Sequence, residues 1–386
     1  MLSSGLVAQA DPAPPSPSAT AVPSAKQVRQ ARAAVAAATA QQKALDAQLT
    51  AAQQELDRVT TVAELATERY NQARVLLAQR TAQAKKARAA AVAANNRAGS
   101  ARLQVYQLAA SLYMQGGSLG GMESLLGLGV TGDVARQAAD IEAVTGFRAQ
   151  TFDDARRQAA RAQTARRTAS QAQLQEQAAA ARAEAAFTAA TTAANTATVA
   201  QAGIQRRREA VLAQLAQLRR TSVAVERGRQ DGLAALAEQA REARLVAGAR
   251  RAGPAGSAEL AKLPAARTAQ AASAIAYARS QLGKPYVWAA DGPDSFDCSG
   301  LTMQAWNQAG RSLWHYTGDQ YAQTARVPLR ALQPGDLVFY GAAVPSIHHV
   351  GLYIGNGKMI EAPHTGAFVR VSSIYRGDLL PYGGRP

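Results

Sequence analysis

From Gln27 to Ala98 the chain contains neither proline nor glycine, and its apolar residues recur in alternating steps of three and four. The series Leu45, Leu49, Ala52, Leu56, Val59, Ala63, Ala66, Tyr70, Ala73 and Leu77 keeps that spacing. Val28, Ala31, Val35 and Ala38 extend it backwards, with Gln42 the one polar break. Such a repeat lays a narrow apolar stripe along a helix, and the stripe must be covered by another helix. Alanine at many of these positions lets helices approach closely but buries little area per turn. At ~1.5 Å per residue the helix would reach roughly 100 Å.

Residues 99–132 break the pattern with Gly99, Gly116, Gly117, Gly120, Gly121, Gly127, Gly129 and Gly132. Short helices joined by glycine turns are expected there. Leu103, Tyr106, Leu112, Tyr113 and Met114 give the segment an apolar surface, which either packs on the coil or docks a partner. The alanine-rich helical pattern returns from Asp133 to Ala247, with a short seam at Leu212, Leu215 and Leu218. Chain reversal implies antiparallel pairing with the first helix. Gly228 and Gly232 are expected to break off a terminal piece, and Arg250 to Ser257 reads as a linker.

The expected organisation is then as follows. Residues 1–10 are the remnant of a signal peptide, because Ala8-Gln9-Ala10 fits a small-residue cleavage site. Residues 11–26 are a Pro/Ser/Ala-rich disordered segment, 27–247 a coiled-coil helical domain, 248–268 a linker and 269–386 a globular domain. No run of 18 or more apolar residues exists, so no transmembrane segment is expected.

All three Trp, all four His and the single Cys lie beyond residue 285. Of the net charge of +16, nine Lys/Arg against seven Asp/Glu leave only +2 on residues 269–386. The basic remainder lies on the helical part. It suits an acidic polymer or an anionic membrane face, or simply a solvated helix surface. No basic stretch interleaves with aromatics and no zinc-type spacing occurs, which argues against nucleic acid. A lone thiol is either a reactive group or a small buried hydrophobe.

In the last domain a helix is expected over Ala269–Leu282 and another over Ser299–Ala309. Strands are expected at Leu337–Tyr340, His349–Ile354, Lys358–Ala362 and Phe368–Val371. Gly355-Asn356-Gly357 reads as a hairpin turn. Helices followed by an antiparallel sheet make the class α+β.

The turn Phe296-Asp297 leads directly into the second helix, so Cys298 sits at a helix N-terminus. Unpaired N–H groups and the helix dipole are expected to lower its thiol pKa. His349 lies on the strand face opposite Val350, Leu352 and Ile354, away from the aliphatic core. A neutral imidazole beside a thiol supplies the base it requires. Across the hairpin, Glu361 is positioned to accept the second ring N–H of His349, with His364 the alternative third residue. His348 is expected to point with the aliphatic set or to precede the strand. His315 and His348 are read as non-catalytic.

Pro285-Tyr286, Phe296-Asp297-Cys298-Ser299-Gly300-Leu301, Pro334-Gly335-Asp336-Leu337-Val338-Phe339 and His349-Val350-Gly351-Leu352-Tyr353-Ile354-Gly355 together resemble the NlpC/p60 family of cell-wall peptidases. The resemblance covers about residues 269–386. It implies a papain-like α+β fold with Cys298 as nucleophile, His349 as base and Glu361 as third polar residue. Tyr286 would help line the oxyanion site, and Asp297, Ser299 and Gln320 would border the substrate. The family's third residue is commonly His or a neutral group. Here it is Glu, and Leu313-Trp314-His315-Tyr316-Thr317 replaces a Pro/Arg-containing segment.

The implied activity is hydrolysis of the D-γ-glutamyl–diamino acid bond of peptidoglycan stem peptides, extracytoplasmic, with no metal and no cofactor. The helical half resembles the N-terminal regions of division-associated wall hydrolases. In these, helices dock a membrane cell-division complex and hold the active site shut. The rival readings are an amidase-type enzyme, or a non-catalytic wall protein whose coiled coil activates another hydrolase.

Overall fold

The computed structural model describes residues 25–114, 134–220, 222–251 and 268–386. Three helices come first: α1 (Ala25–Met114), α2 (Val134–Arg219) and α3 (Val223–Arg251). Then follow α4 (Thr268–Ser280), α5 (Cys298–Gln308) and α6 (Thr317–Gln323). The strands are β1 (Ala325–Pro328), β2 (Leu337–Gly341), β3 (Ile347–Gly355), β4 (Lys358–Glu361), β5 (Arg370–Ser373) and β6 (Tyr382–Arg385). The chain divides into two compact units, Met1–Gln54 with Ile204–Gly232, and Glu55–Gly203 with Leu233–Pro386.

In the first unit, Leu45 and Leu49 of α1 pack on Val211, Leu212 and Leu215 of α2, with Val223 at the edge. Arg219 reaches Asp46 at 3.4 Å and also pairs with Glu226. The chain turns after α2, where Arg220 takes φ 52°. α3 then runs unbroken through Gly228 and Gly232. The expected break at those glycines is therefore absent. Each costs a helix only about 1 kcal/mol relative to alanine, too little to end it.

In the second unit α1 and α2 run antiparallel. Arg80 bonds Gln175 at 2.8 Å, Arg88 pairs with Glu176, and Arg166 bonds Asn95 at 2.7 Å. The seam is built of alanines, among them Ala84, Ala91, Ala94, Ala162, Ala179, Ala190 and Ala194, all buried. The expected fragmentation into short helices from residue 99 does not occur in the described part, since α1 continues through Gly99 to Met114. Leu103, Tyr106, Tyr113 and Met114 stand exposed on it. The rest of that glycine-rich segment lies outside the described residues, as do the expected signal remnant and most of the Pro/Ser/Ala-rich run. α3 reaches Arg251, past the expected start of the linker, whose remainder also lies outside them.

The C-terminal part of this unit is an antiparallel sheet of order β1-β6-β2-β3-β4-β5. Trp306 and Leu301 of α5 and Ala271, Ala274 and Ala278 of α4 share one core with Leu337, Phe339, Val350, Leu352 and Ile360 of the sheet. Alternation places Val338, Tyr340, Met359 and Ile374 in a second, smaller cluster. The β3–β4 turn is a two-residue loop in which Asn356 (φ 52°) and Gly357 (φ 66°) are both left-handed, the geometry that favours Asn-Gly. β1, β6 and α6 were not expected from the sequence. The architecture is α+β, a papain-like domain preceded by a long antiparallel helical coiled coil. Among the described residues, no helix is long and apolar enough to cross a membrane.

Candidate active site

Cys298 is the first residue of α5, and Asp297 is its N-cap, accepting the Gly300 N–H at 2.6 Å. Gly300 is required by close approach, because a Cβ there would collide with the Ala290 carbonyl and crowd the Asp297 carboxylate. The sulfur lies 4.0 Å from the carbonyl oxygen of His348, which places it against β3 one residue before His349. His349 is fully buried, and its Nε2 lies 2.8 Å from Glu361 Oε2. Its Nδ1 is buried without a hydrogen-bond partner.

Glu361, at the end of β4, also accepts from Ser372 Oγ at 2.6 Å, from Arg370 Nε at 3.2 Å and from Arg376. Burial alone would raise its carboxyl. The His349 hydrogen bond, the charge of Arg376 and the Ser372 hydroxyl instead hold it well below the usual carboxylate range. An ionised Glu361 fixes the ring so that Nε2 carries a proton and Nδ1 is left to act. His364 is engaged elsewhere, with Nδ1 2.9 Å from Thr365 O and 3.2 Å from Gln201 Nε2.

Tyr286 is buried, and burial, then the charges of Cys298, Asp297, Glu64 and Glu68, keep its phenol protonated. Ser299 Oγ points towards the site, 3.3 Å from Asp297 Oδ1. Gln320 is bonded wholly within the domain, accepting from Thr302 Oγ1 at 2.7 Å and donating to Ser299 O and Trp314 O at 2.8 and 2.9 Å. It braces α5 against the Trp314 segment rather than facing open space. His315 lies 2.8 Å from Asp297 Oδ1. Burial opposes a charge on that imidazole, but Asp297 raises it, and His315 in turn holds Asp297 low.

A second set of residues in the site, brought by α1, was missed by the reading of the sequence. Glu64, Glu68 and Asn71 fall on one helix face and are buried, although two carboxylates and an amide read as solvated. Glu68 Oε2 accepts from the Thr317 N–H at 2.7 Å and the Thr317 hydroxyl at 2.8 Å. Its Oε1 accepts from Ser299 Oγ at 2.8 Å and from the Cys298 thiol at 3.6 Å. Asn71 Nδ2 donates to Asp297 Oδ2 at 2.9 Å. Glu64 Oε2 lies 2.8 Å from His348 Nδ1, and its Oε1 lies 3.8 Å from His349 Nδ1. Tyr70 meets Trp288 edge-on with ring centroids 5.7 Å apart. The one available signal was Glu64 and Glu68 at i,i+4, a like-charge pair that destabilises a free helix.

These contacts overturn the expected low thiol pKa. Burial, then the carboxylates of Glu68, Asp297 and Glu64, push the Cys298 thiol well above its usual range. A helix terminus contributes roughly half a charge, and three carboxylates outweigh it. Burial and the neighbouring Asp297 likewise push Glu68 up to about 7, against the hydrogen bonds from Thr317 and Ser299. The expected direction of His348 is also corrected. Tyr340 pairs with His349 and Gly341 with Ile347, so His348 is the extra residue of a bulge. A bulge re-aims its side chain, and that of His348 reaches Glu64. Among the described residues, no cluster of His, Cys, Asp and Glu is placed to hold a metal ion.

Residues 283–380 match the NlpC/P60 family. Over 94 residues the chain is 47% identical to a protein of Listeria grayi named probable endopeptidase p60, covering 24% of this chain and 18% of that one. It is 39% identical over 116 residues to the peptidoglycan endopeptidase RipA of Mycolicibacterium smegmatis, covering 27% of this chain and 23% of that one. A probable endopeptidase of Corynebacterium glutamicum is 40% identical over 124 residues, 31% of this chain and 56% of that one. The chain thus spans about a fifth of the length of the first two relatives. Among solved structures, the peptidoglycan hydrolase RipB of Mycobacterium tuberculosis is 31% identical over 39% of this chain and 83% of its own, with a TM-score of 0.28.

Proposed function

The C-terminal part of this chain is an NlpC/P60 domain, and on that premise we propose that the protein is an extracytoplasmic peptidoglycan endopeptidase. It cleaves the D-γ-glutamyl–diaminopimelate bond of stem peptides by thiol catalysis, in wall remodelling or daughter-cell separation. The observation that carries the reading is His349 buried against an ionised Glu361, one residue along β3 from the carbonyl that touches the Cys298 sulfur.

His349 Nδ1 takes the thiol proton, and the thiolate attacks the scissile carbonyl. The Tyr286 hydroxyl and the Cys298 N–H donate to the developing oxyanion. The proton passes to the leaving amine as the C–N bond breaks, and water releases the acyl group from sulfur. Asp297 and Ser299 border the acyl side. The test is a digest of purified stem tetrapeptide by the full-length chain carrying Glu68→Ala, read by mass spectrometry. The reading requires an L-Ala-D-Glu fragment. A sugar-linked muropeptide digested in parallel covers the rival, since release of its intact stem would make the enzyme an amidase.

Glu361→Gln should lower kcat roughly 100-fold, because the amide no longer stabilises the imidazolium. It should also cost about 3 kcal/mol of stability by leaving Arg376 without its buried partner. Turnover and a denaturant titration check the two effects, and an unchanged kcat would remove Glu361 from the mechanism.

As described, the enzyme is shut, and we infer that α1 is its inhibitory segment. Closure should respond to pH through Glu68. An ordinary carboxyl titrates at 4.5, and in the closed state Glu68 is held at about 7. A raised pKa means that closing takes up a proton. Its contribution to closure is complete below 4.5 and is lost as pH rises through about 7. The activity of the wild-type chain relative to Glu68→Ala should therefore climb between about pH 5 and pH 8. Glu68→Gln, which imitates the protonated acid, should flatten the curve and stay low. A wild-type ratio that falls with pH would contradict this.

A further inference from the structure

The proposed mechanism uses His349 and leaves its neighbour without a task. His348 is only 8% exposed, and both of its ring nitrogens face carboxylates. Nδ1 is 2.8 Å from Glu64 Oε2, and Nε2 is 3.0 Å from Asp378 Oδ2. An imidazole that donates through both nitrogens is the imidazolium. Burial works against that charge, but the hydrogen bonds that His348 donates to Asp378 and Glu64 push its pKa up to about 9.

The two carboxylates have different origins. Asp378 lies in the segment between β5 and β6, where its carbonyl accepts the Gly341 N–H at 2.9 Å. It belongs to the same domain as His348. Glu64 is brought by α1, so when α1 leaves, His348 keeps Asp378 and loses its second anion. A buried cation with one donor left over is a built site for another carboxylate.

Its place along the cleft follows from α1 itself. Glu68 and Glu64 lie one helical turn apart, the first against the nucleophile and the second against the base. Glu68 is at Ser299 and Thr317, 3.6 Å from the sulfur, and Glu64 is at His348, 3.8 Å from His349 Nδ1. The ring of His349 protonates the departing amine, so the Glu64 side is the leaving-group side.

We propose that His348, paired with Asp378, is a carboxylate-binding subsite on the leaving-group side of the scissile bond. It selects stems whose diamino acid carries a free side-chain carboxylate, and Glu64 fills it in the closed state. This rests on the peptidase reading above and adds the group that is recognised. A stem whose diaminopimelate carboxylate is amidated loses the charge-assisted bond and keeps its shape.

The experiment uses the full-length chain carrying Glu64→Ala and Glu68→Ala, so that the helix leaves both subsites. Two stem tetrapeptides are compared, one with free and one with amidated diaminopimelate. The expected kcat/KM ratio is about tenfold in favour of the free acid. His348→Gln should bring the ratio to about one, His348→Lys should retain most of it, and Asp378→Asn should reduce it in part. A ratio near one in the parent would overturn the proposal. So would a ratio untouched by His348→Gln, or an equal loss on both peptides. Cleavage of neither peptide would overturn the peptidase reading itself, whereas cleavage of both at equal rates would overturn the subsite alone.

Discussion

Cys298→Ala is expected to abolish release of the dipeptide fragment, by at least about 10⁴-fold, with little change in stability. The thiol is the group that bonds the substrate carbonyl in this mechanism. Cys298 is the only cysteine of the chain, so no second thiol can supply residual turnover. It is 1% exposed and packs with Leu301, Phe296 and Val350, so removal of the sulfur leaves a small cavity. The cost of that cavity is about 1 kcal/mol. The helix start itself is held by the Asp297 cap, which the substitution does not touch. Cys298→Ser keeps the volume but is a weaker nucleophile, and it should remain at least about 10³-fold slower. Fragment yield by mass spectrometry, with a thermal midpoint on each variant, checks both statements. Undiminished cleavage by Cys298→Ala would end the thiol mechanism.

What the sequence made legible depended on which signals were local. The α4 and α5 helices, four strands and the Asn356-Gly357 turn follow from period and turn chemistry. β6 was illegible because its centre is Gly383-Gly384, which carries no alternation. Both glycines are there because a Cβ would strike the Leu337 carbonyl or the Thr324 side chain. Glu361 was legible as a residue of the strand beside His349, but not its exact register, because the irregularity between Tyr353 and Gly355 shifts the hairpin pairing by one. The bulge at His348 was not, because one inserted residue flips a face without any mark in composition. The α1 stripe Glu64–Glu68–Asn71 was hidden for a different reason. Burial of a carboxylate is decided by its partners, and these are Thr317, Ser299 and His348, more than 200 residues away in the chain. The Ala63, Ala66 and Tyr70 seam was the stripe that periodicity could report.

That hidden stripe carries the second large effect. Replacing Glu68 by alanine in the full-length chain should raise its peptidase activity at pH 7 by roughly 10- to 100-fold. The carboxylate holds α1 in the cleft through the Thr317 N–H, the Thr317 hydroxyl and the Ser299 hydroxyl. Hydrogen bonds to a charged group contribute about 1.5–3 kcal/mol each, but burying the charge beside Asp297 offsets much of that, as its raised pKa records. A net weakening of about 1.4–2.8 kcal/mol gives the range stated. Loss of the charge also acts on the nucleophile, because Glu68 is the first of the carboxylates that hold the thiol protonated. Opening and activation are thus one event, since the group that leaves the cleft is the group that suppressed the thiolate. Alkylation of Cys298 by a small thiol reagent reads this without substrate. It should be slow in the wild-type chain, markedly faster in Glu68→Ala, and intermediate in Asn71→Ala, which frees Asp297 and removes the 3.4 Å Asn71–Glu68 bond but leaves the Glu68 bonds to Thr317 and Ser299. Arg69→Ala, on the exposed side of the same helix turn, should change neither rate. If alkylation and turnover were the same in the wild-type chain and Glu68→Ala, α1 would be a passive neighbour of the site. If alkylation alone accelerated, the helix would have loosened around the thiol while still excluding the stem peptide from the cleft.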